Sequence, residues 1–160
     1  MDDYGEDLSA YRYLQLDVED RRQVDAVAAA SEELDILVNN AGIALPSQGL
    51  DEYEPDIFER AVAMHLTSGY RMARGCHAAL SRSGFPGGAS IIGIGSMSSY
   101  FGMGIVPRYG AAKTGLIGMT RALAVEWAKH GIRVNAVAAG LTESRMNTGT
   151  FANPAWTEPT

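Results

Sequence analysis

Short apolar runs alternate with longer amphipathic stretches along this chain, and this alternation constrains its fold more than any other feature. The chain begins with an apolar run at 11–18, an amphipathic stretch at 19–33 and a second apolar run at 34–40. Short apolar runs predict buried strands, and apolar residues spaced three to four apart predict helices. The three segments therefore predict a strand, helix, strand unit. The inner face of its helix carries Val24, Val27 and Ala28.

The same alternation continues through the rest of the chain. Residues 54–80 predict a long helical stretch, either continuous or interrupted, and 88–96 predict a strand punctuated by glycines. Residues 108–129 predict a helix that ends at Gly131, and 132–139 predict the next strand. Strands separated by helices pair in parallel and are covered on both faces. We therefore expect one α/β domain over all 160 residues, built on a doubly wound parallel sheet.

Charge and cysteine content narrow the function classes. The formal net charge is −6 and the basic residues are scattered, so nucleic acid and anionic membranes are not expected partners. Cys76 is the single cysteine and cannot form an internal disulfide, which favours a reducing cytoplasm but also fits a secreted protein without disulfides. The acidic start lacks a signal segment, and no run has the length of a membrane span. We expect a cytoplasmic protein.

Tyr109 and Lys113 form the most distinctive pair in the sequence. Only Gly110, Ala111 and Ala112 separate them. In a helix this spacing places both side chains on one face, and the three small residues leave room for something to lie against it. Taken alone, the pair is also compatible with two exposed polar residues on an ordinary helix.

Polar and small residues follow each predicted strand. In parallel sheets of this class, ligands bind at the carboxyl ends of the strands. A turn of the Asn-Asn-Ala-Gly type lets the backbone approach a ligand, although it is equally an ordinary strand-to-helix turn. The acidic residue after the first predicted strand is likewise a candidate helix N-cap, and the serine a candidate cap or turn former. These residues are Asp17 and Val18, Asn39 to Gly42, Gly95 and Ser96, and Ala139 and Gly140.

Together these motifs resemble the short-chain dehydrogenase/reductase family, in the compact group that carries Asn-Asn-Ala-Gly after the fourth strand. The matching motifs are Leu-Asp-Val at 16–18, Asn-Asn-Ala-Gly at 39–42, Ser96 thirteen residues before Tyr109, and GIRVNAVAAG at 131–140. The resemblance implies a Rossmann-like fold and an NAD or NADP cofactor. It also implies hydride transfer between the nicotinamide and an alcohol or carbonyl carbon of a small-molecule substrate.

The resemblance implies a role for each site residue. Tyr109 exchanges a proton with the substrate oxygen, and Ser96 orients that oxygen. A phenol, whose pKa is ordinarily about 10, is a poor base at neutral pH. Lys113 favours the phenolate and also binds the nicotinamide ribose. The cofactor contacts implied besides Tyr109 and Lys113 are Asp17, Val18, Asn40, Ala41, Gly42, Ala139, Gly140, Leu141, Thr142 and Ser144.

Two positions depart from the family pattern. His65 stands where the family has an asparagine that supports a water-mediated proton relay to the lysine. An imidazole also holds water but titrates near neutrality, so one expectation is a relay with an altered pH profile. The other is a partly buried helix histidine satisfied by backbone. Ala139 stands where a proline usually precedes Gly140, which loosens that loop.

The resemblance also implies that part of the usual sheet is absent from the 160 residues. The missing parts are the first two strands with the glycine-rich pyrophosphate loop and the NAD-or-NADP selecting segment, and the last strand. In the family's strand order, 11–18 would then lie roughly 10 Å from its nearest partner. We expect that these residues are part of a longer polypeptide, or that the chain folds by rearranging. In the second case 11–18 moves next to 34–40 or pairs with a strand from another subunit. Neither isolated form should bind a dinucleotide in the usual way.

Three functions follow from these patterns. The first is a dehydrogenase/reductase, and the second is a truncated, non-catalytic relative that acts as a binding or oligomer-forming module. The third, a flavodoxin-like binder, is disfavoured by the spacing of Ser96, Tyr109 and Lys113. The segment between Ser96 and Tyr109 predicts either a partly apolar substrate pocket or a loop packed on its own core. Its apolar residues are Tyr100, Phe101, Met103 and Ile105.

The family resemblance further implies a homodimer or homotetramer. Such assemblies pair the two long helices, here about 54–80 and 108–129, across two-fold axes. Small and apolar side chains suit close helix contact, but they suit core packing equally well. The candidates are Ala73, Ala78, Ala79, Ala122 and Ala124.

Overall fold

A three-stranded parallel sheet organises the chain. The computed structural model describes residues 9–43 and 53–142. The strands pair in the order β1-β2-β3, so that β2 lies in the centre. The predicted parallel sheet is therefore confirmed. The strands are β1 (Ile36–Asn39), β2 (Ala89–Ser96) and β3 (Ile132–Ala139).

The helices cover the sheet and connect its strands. Of the two alternatives for 54–80, the structure has the interrupted one, because a π-helical segment at Ala63–Thr67 joins two helices and a further break follows at Cys76. A 3₁₀ turn at Met97–Ser99 follows β2, and a second one at Ala128–His130 precedes β3. The α-helices are α1 (Arg21–Ala29), α2 (Pro55–Val62), α3 (Ser68–Gly75), α4 (His77–Leu80) and α5 (Pro107–Trp127).

Local signals explain where the helices begin and end. Asp20 caps α1 by accepting a hydrogen bond from the Arg22 amide, 2.9 Å away. Pro107 opens α5, a position where its missing N–H costs nothing. After α5 and the 3₁₀ turn, Gly131 adopts a left-handed φ of 71°, which turns the chain into β3.

The core lies between the sheet and the helices that cover it. Ala89 and Ile91 of the central strand pack with Leu80 of α4, Trp127 of α5 and Ile132 of β3. A central parallel strand is shielded on both faces, which is why β2 reads as a continuous apolar run. On α1, the predicted inner face is confirmed, since Val24 and Ala28 are buried and Val27 is half-buried.

The predicted strand at 11–18 is wrong. Residues 12–17 have no regular secondary structure, and Tyr11 and Leu14 are 66% and 51% exposed. An extended segment is held as a strand by pairing its backbone groups, and β1 pairs only with β2 among the described residues. The run at 11–18 therefore has the apolar composition of a strand, but no described strand pairs with it. The expected rearrangement that pairs 11–18 with 34–40 is not observed either.

The outer edge of β1 is open within the described part of the chain. Ile36 and Val38 on this strand are 53% and 52% exposed. A mainly apolar groove of about 330 Å³ runs beside the strand, and Leu16 and Val18 contribute to its wall. An uncovered apolar strand edge favours pairing with another strand.

The starts of β2 and β3 approach closely through two glycines. Gly88 has a φ of 77°, and a Cβ on it would lie 2.1 Å from the Gly131 carbonyl oxygen. Backbone cannot rotate away from such an overlap, so we expect Gly88→Ala to lower the free energy of unfolding by roughly 3 kcal/mol or more. Urea denaturation measures this loss.

Gly87 provides the matched control. It also has a positive φ, 93°, but a Cβ there meets no described atom within 4 Å. Gly87→Ala should therefore cost only the left-handed backbone penalty, about 1 kcal/mol. Equal losses for the two variants would show that the close approach of the strands does not matter.

Candidate active site

Lys113 is a buried cation that is hydrogen-bonded to the sheet. It lies on α5 and is 6% exposed, and its Nζ donates a hydrogen bond to the Ile94 carbonyl oxygen of β2, 2.6 Å away. Burial lowers the pKa of Lys113 from its ordinary value of 10.5, because desolvation disfavours the ammonium. The Nζ atom lies 5.5 Å from the ring centre of Tyr109. The structure thus brings together the pair that the four-residue spacing places on one helix face.

The room left by the small residues on α5 is partly filled by the chain itself. A Cβ on Gly110 would lie 3.6 Å from the Ser98 carbonyl oxygen of the 3₁₀ turn at Met97–Ser99. Ala112 is buried, whereas Ala111 is exposed. The turn that follows β2 therefore packs against the helix beside Tyr109.

Ser96 ends β2 at the same edge of the sheet. Its backbone is extended, and its Oγ accepts a hydrogen bond from the Ser98 amide at 3.2 Å, so the cap that the sequence suggested is present. A hydroxyl that accepts one hydrogen bond still has a proton to donate. Capping the turn and contacting a substrate oxygen are therefore compatible roles.

His65 lies in the π-helical segment, directly beside the tyrosine. It is 6% exposed, and its ring centre lies 5.0 Å from that of Tyr109 in an edge-on arrangement. Burial, and secondly the charge of Lys113, lower the pKa of His65 to about 4, while a hydrogen bond with the Ile43 backbone opposes the shift. This lowered pKa differs from the titration near neutrality that an ordinary imidazole would have, and its main cause is burial, which the sequence does not show.

One nitrogen of the His65 ring faces the Asn-Asn-Ala-Gly turn. Nδ1 is buried and has no hydrogen-bond partner among the described residues. A Cβ on Gly42 would lie 3.2 Å from this nitrogen, so the glycine makes room for the ring. The expectation of a histidine satisfied by backbone holds for only part of the ring.

The residues after β1 form a wall next to this histidine. The Asn39 side-chain amide donates to the Gly69 carbonyl oxygen of α3 at 3.0 Å, which ties the turn to the helix. Asn40 and Ala41 are exposed at the carboxyl end of the strand, and Val18 lines the same groove as both. Three of the predicted cofactor contacts therefore line one groove.

Asp17 is exposed and shapes the turn before α1. One of its carboxylate oxygens accepts a hydrogen bond from the Glu19 amide at 2.9 Å. It is not the N-cap of the helix, which is Asp20. Asp17 is therefore available at the surface, but it lies outside the groove that Val18 lines.

The end of β3 is open. Gly140 is exposed, and the nearest atom that a Cβ there would meet is Met97 Sδ, 3.8 Å away. Leu141 and Thr142 are also exposed, and Ala139 is half-buried. Ser144 lies outside the described residues.

The segment between Ser96 and Tyr109 exposes its apolar side chains. An interpretation in which this loop packs on its own core does not agree with such exposure. An apolar wall facing an open site agrees with it. The exposed side chains are Tyr100, Phe101, Met103 and Ile105.

The described residues fit the nicotinamide end of a dinucleotide better than its pyrophosphate. Lys113 has further N–H groups to donate near the Tyr109 ring, the Ser96 hydroxyl keeps a proton to donate at the end of β2, and Gly140 is exposed. By contrast, the start of α1 follows three carboxylates, those of Asp17, Glu19 and Asp20. Negative charges at a helix N-terminus repel a phosphate instead of binding it.

Other kinds of site find no support in residues 9–43 and 53–142. No three His, Cys, Asp or Glu side chains come together there to hold a metal ion. None of the helices in these ranges combines the length and apolar character that crossing a membrane requires.

Comparison with known proteins gives matches over most of the chain. A family model described as Enoyl-(Acyl carrier protein) reductase matches residues 2–158. The 2-dehydro-3-deoxy-D-gluconate 5-dehydrogenase of Escherichia coli is 37% identical over 136 residues, which make up 81% of this chain and 52% of that protein. The chain spans about half the length of the curated dehydrogenases with which it aligns.

Solved structures agree in fold. The RhlG/NADP complex of Pseudomonas aeruginosa superposes with a TM-score of 0.80 and 31% identity, over 93% of this chain and 61% of that one. A gluconate 5-dehydrogenase of Burkholderia cenocepacia, in complex with NADP and tartrate, gives 0.75 and 28%, over 88% and 55%. The sheet order, the motifs and the family match lead to one conclusion: the chain belongs to the short-chain dehydrogenase/reductase family.

Proposed function

We propose that this chain carries the catalytic part of an NAD(P)-dependent oxidoreductase that interconverts an alcohol and a carbonyl group on a small molecule. The observation that supports this most is the buried Lys113 ammonium, bound to the Ile94 carbonyl and lying beneath Tyr109. A fixed positive charge next to a phenol favours the phenolate. That is the property that a tyrosine needs in order to move protons at neutral pH.

In this proposal Tyr109 is the acid and base. When bound, the nicotinamide cofactor supplies or accepts the hydride at the reacting carbon. In the reducing direction the Tyr109 hydroxyl gives its proton to the carbonyl oxygen, and in the oxidising direction the phenolate takes the proton of the alcohol. Lys113 stabilises the phenolate and has further N–H groups to offer a ribose hydroxyl.

Ser96 orients the substrate oxygen in the same proposal. Its hydroxyl is held by the Ser98 amide at the end of β2, which fixes the direction in which the proton can be donated. A donor aimed at an oxygen that gains negative charge stabilises the transition state. The exposed apolar side chains between Ser96 and Tyr109 supply the wall for the carbon skeleton of the substrate.

We assign His65 the position of the family's relay asparagine. With a pKa of about 4 the imidazole is neutral at pH 7, so it does not add a second positive charge beside Lys113. A neutral ring can accept or donate one hydrogen bond at Nδ1, which has no described partner. This nitrogen is suited to holding a water molecule on the path of the proton.

NAD or NADP is the proposed cofactor. Two solved relatives contain NADP, which supports this class of cofactor. The proposed contacts on the nicotinamide side are Tyr109, Lys113, Ala139, Gly140, Leu141, Thr142 and Ser144. Those on the adenosine side are Asp17, Val18, Asn40, Ala41 and Gly42.

A non-catalytic binding module is the second candidate. The open edge of β1, with its half-exposed Ile36 and Val38, favours it, because such an edge suits pairing with another chain. Fluorescence titration with NADH and NADPH separates the two functions, since only the oxidoreductase needs the nicotinamide to bind.

A homodimer or homotetramer through the long helices remains part of the proposal. Of the small residues considered for helix contact, Ala73 and Ala79 are buried in the core. Ala78 and Ala122 are exposed and Ala124 is half-buried. Ala78 and Ala122 are therefore the two candidates that are accessible for contact in such an assembly.

Removing the proton carrier tests the mechanism. In a form of the protein that turns over an alcohol or carbonyl, we expect Tyr109→Phe to lower kcat by about 1,000-fold or more, because the ring remains but the proton is lost. Lys113→Ala should lower kcat by roughly 100-fold, because the phenolate loses its neighbouring charge. Steady-state kinetics with NADH and NADPH provide the measurement.

Tyr70→Phe is the matched control. Tyr70 lies half-exposed on α3, does not line the groove beside β1, and loses the same hydroxyl. Its kcat should stay within about twofold of the unchanged protein. Retention of most of the activity by Tyr109→Phe would remove Tyr109 from the mechanism.

The titration of His65 tests its electrostatic environment. The folded-state pKa of about 4 lies below the ordinary 6.5, so the unfolded state binds the proton more readily. Stability contributed by the neutral ring should therefore be lost as the pH falls from 6.5 towards 4. His65→Asn should remove this part of the pH dependence in urea denaturation.

NMR measures the pKa of the His65 ring directly. The chain has three histidines, so the signal of the His65 ring is assigned by its disappearance in His65→Asn. We expect it to stay unchanged from pH 7.5 down to pH 5.5. A midpoint near 6.5 would mean that the ring is exposed to water.

A further inference from the structure

Ser99 lies between two residues of the proposed active site. It closes the 3₁₀ turn at Met97–Ser99 and is 8% exposed. Its Oγ accepts a hydrogen bond from the Ser96 amide at 3.2 Å and donates one to the Lys113 carbonyl oxygen at 3.0 Å. The Ser99 hydroxyl thus joins the backbone of Ser96 to the backbone of Lys113.

Two further contacts hold Ser99 in this place. The Thr114 hydroxyl donates to the Ser99 carbonyl oxygen at 3.3 Å, so two successive residues of α5 are bound to Ser99. Gly95 lies next to the side chain, since a Cβ there would be in van der Waals contact with Ser99 Oγ, 3.6 Å away. The side chain is therefore buried, bonded on both sides and confined by its neighbours.

The bonds form a closed circuit between β2 and α5. The Lys113 ammonium donates to the Ile94 carbonyl oxygen of β2. The Lys113 carbonyl oxygen accepts from Ser99 Oγ, which in turn accepts from the Ser96 amide of the same strand. Ile94 and Ser96 are two residues apart on a strand, so their backbone N–H and C=O groups point to the same side of the strand. Both ends of Lys113, its ammonium and its carbonyl, are thereby fixed to one strand.

We propose that Ser99 is a positioning residue that sets the placement of Ser96 relative to Lys113, and through Lys113 that of Tyr109. Ser99 itself does not touch the reacting atoms. Its catalytic consequence rests on the proposed function, whereas its effect on the Ser96 backbone does not. Small displacements of groups that must meet a substrate oxygen lower the rate of reaction strongly.

The neighbouring serine offers a matched control. Ser98 lies in the same turn and is 5% exposed, but its hydroxyl has no hydrogen-bond partner within the described ranges. Ser98→Ala and Ser99→Ala therefore remove the same group from equally buried positions. Only the second removes the link between the strand and the helix.

Amide hydrogen exchange followed by NMR tests the link without any need for turnover. In Ser99→Ala the Ser96 amide loses its acceptor, and we expect it to exchange at least about tenfold faster, while the amides at the centre of β2 keep their protection. Ser98→Ala should leave the Ser96 amide unchanged. If Ser99→Ala does not fold, Ser99→Cys gives the same comparison, because a thiol is a weak hydrogen-bonding group.

Steady-state kinetics on the same variants test the consequence. We expect Ser99→Ala to lower kcat by about 10- to 100-fold with a KM for the cofactor within about twofold. An unchanged exchange rate at Ser96 overturns the proposal, and so does faster exchange with an unaltered kcat. If no form of the protein that contains this chain turns over an alcohol or carbonyl, the proposed function fails, while faster exchange confined to Ser99→Ala still supports the positioning role.

Discussion

The hydrogen bond from Lys113 Nζ to the Ile94 carbonyl oxygen, 2.6 Å long, is the contact on which the arrangement of the site depends. A buried ammonium is costly unless polar groups surround it, so this bond fixes α5 against β2. It determines where Tyr109 lies, 5.5 Å from the charge. The adjacent imidazole is neutral mainly because His65 is itself buried, and secondly because the Lys113 charge also lowers its pKa, to about 4.

The fold was predictable from the sequence wherever local pattern and pairing agree. The predicted strand at 132–139 coincides with β3, and the one at 88–96 starts a single residue before β2. The predicted strand at 11–18 has the same apolar character but no partner, and it is not a strand. Pairing is a property of distant segments, so composition alone does not reveal its absence.

The candidate site was predictable as a set of side chains but not as a network. Spacing was enough to pair Tyr109 with Lys113 and to point to Ser96. The atoms that hold these residues are largely backbone groups, such as the carbonyls of Ile94 and Lys113, and every residue has them. The lowered pKa of His65 had no signal either, because it comes from burial by segments far apart in the chain.

The titration of the Lys113 amine tests the central claim most directly. Lys113 and Lys129 are the two lysines of the chain, so a ¹³C-lysine NMR spectrum contains two side-chain signals, and Lys129→Arg assigns them. A buried ammonium should titrate below the ordinary pKa of 10.5. The account predicts such a lowered midpoint for Lys113, and a midpoint at or above 10.5 would contradict it.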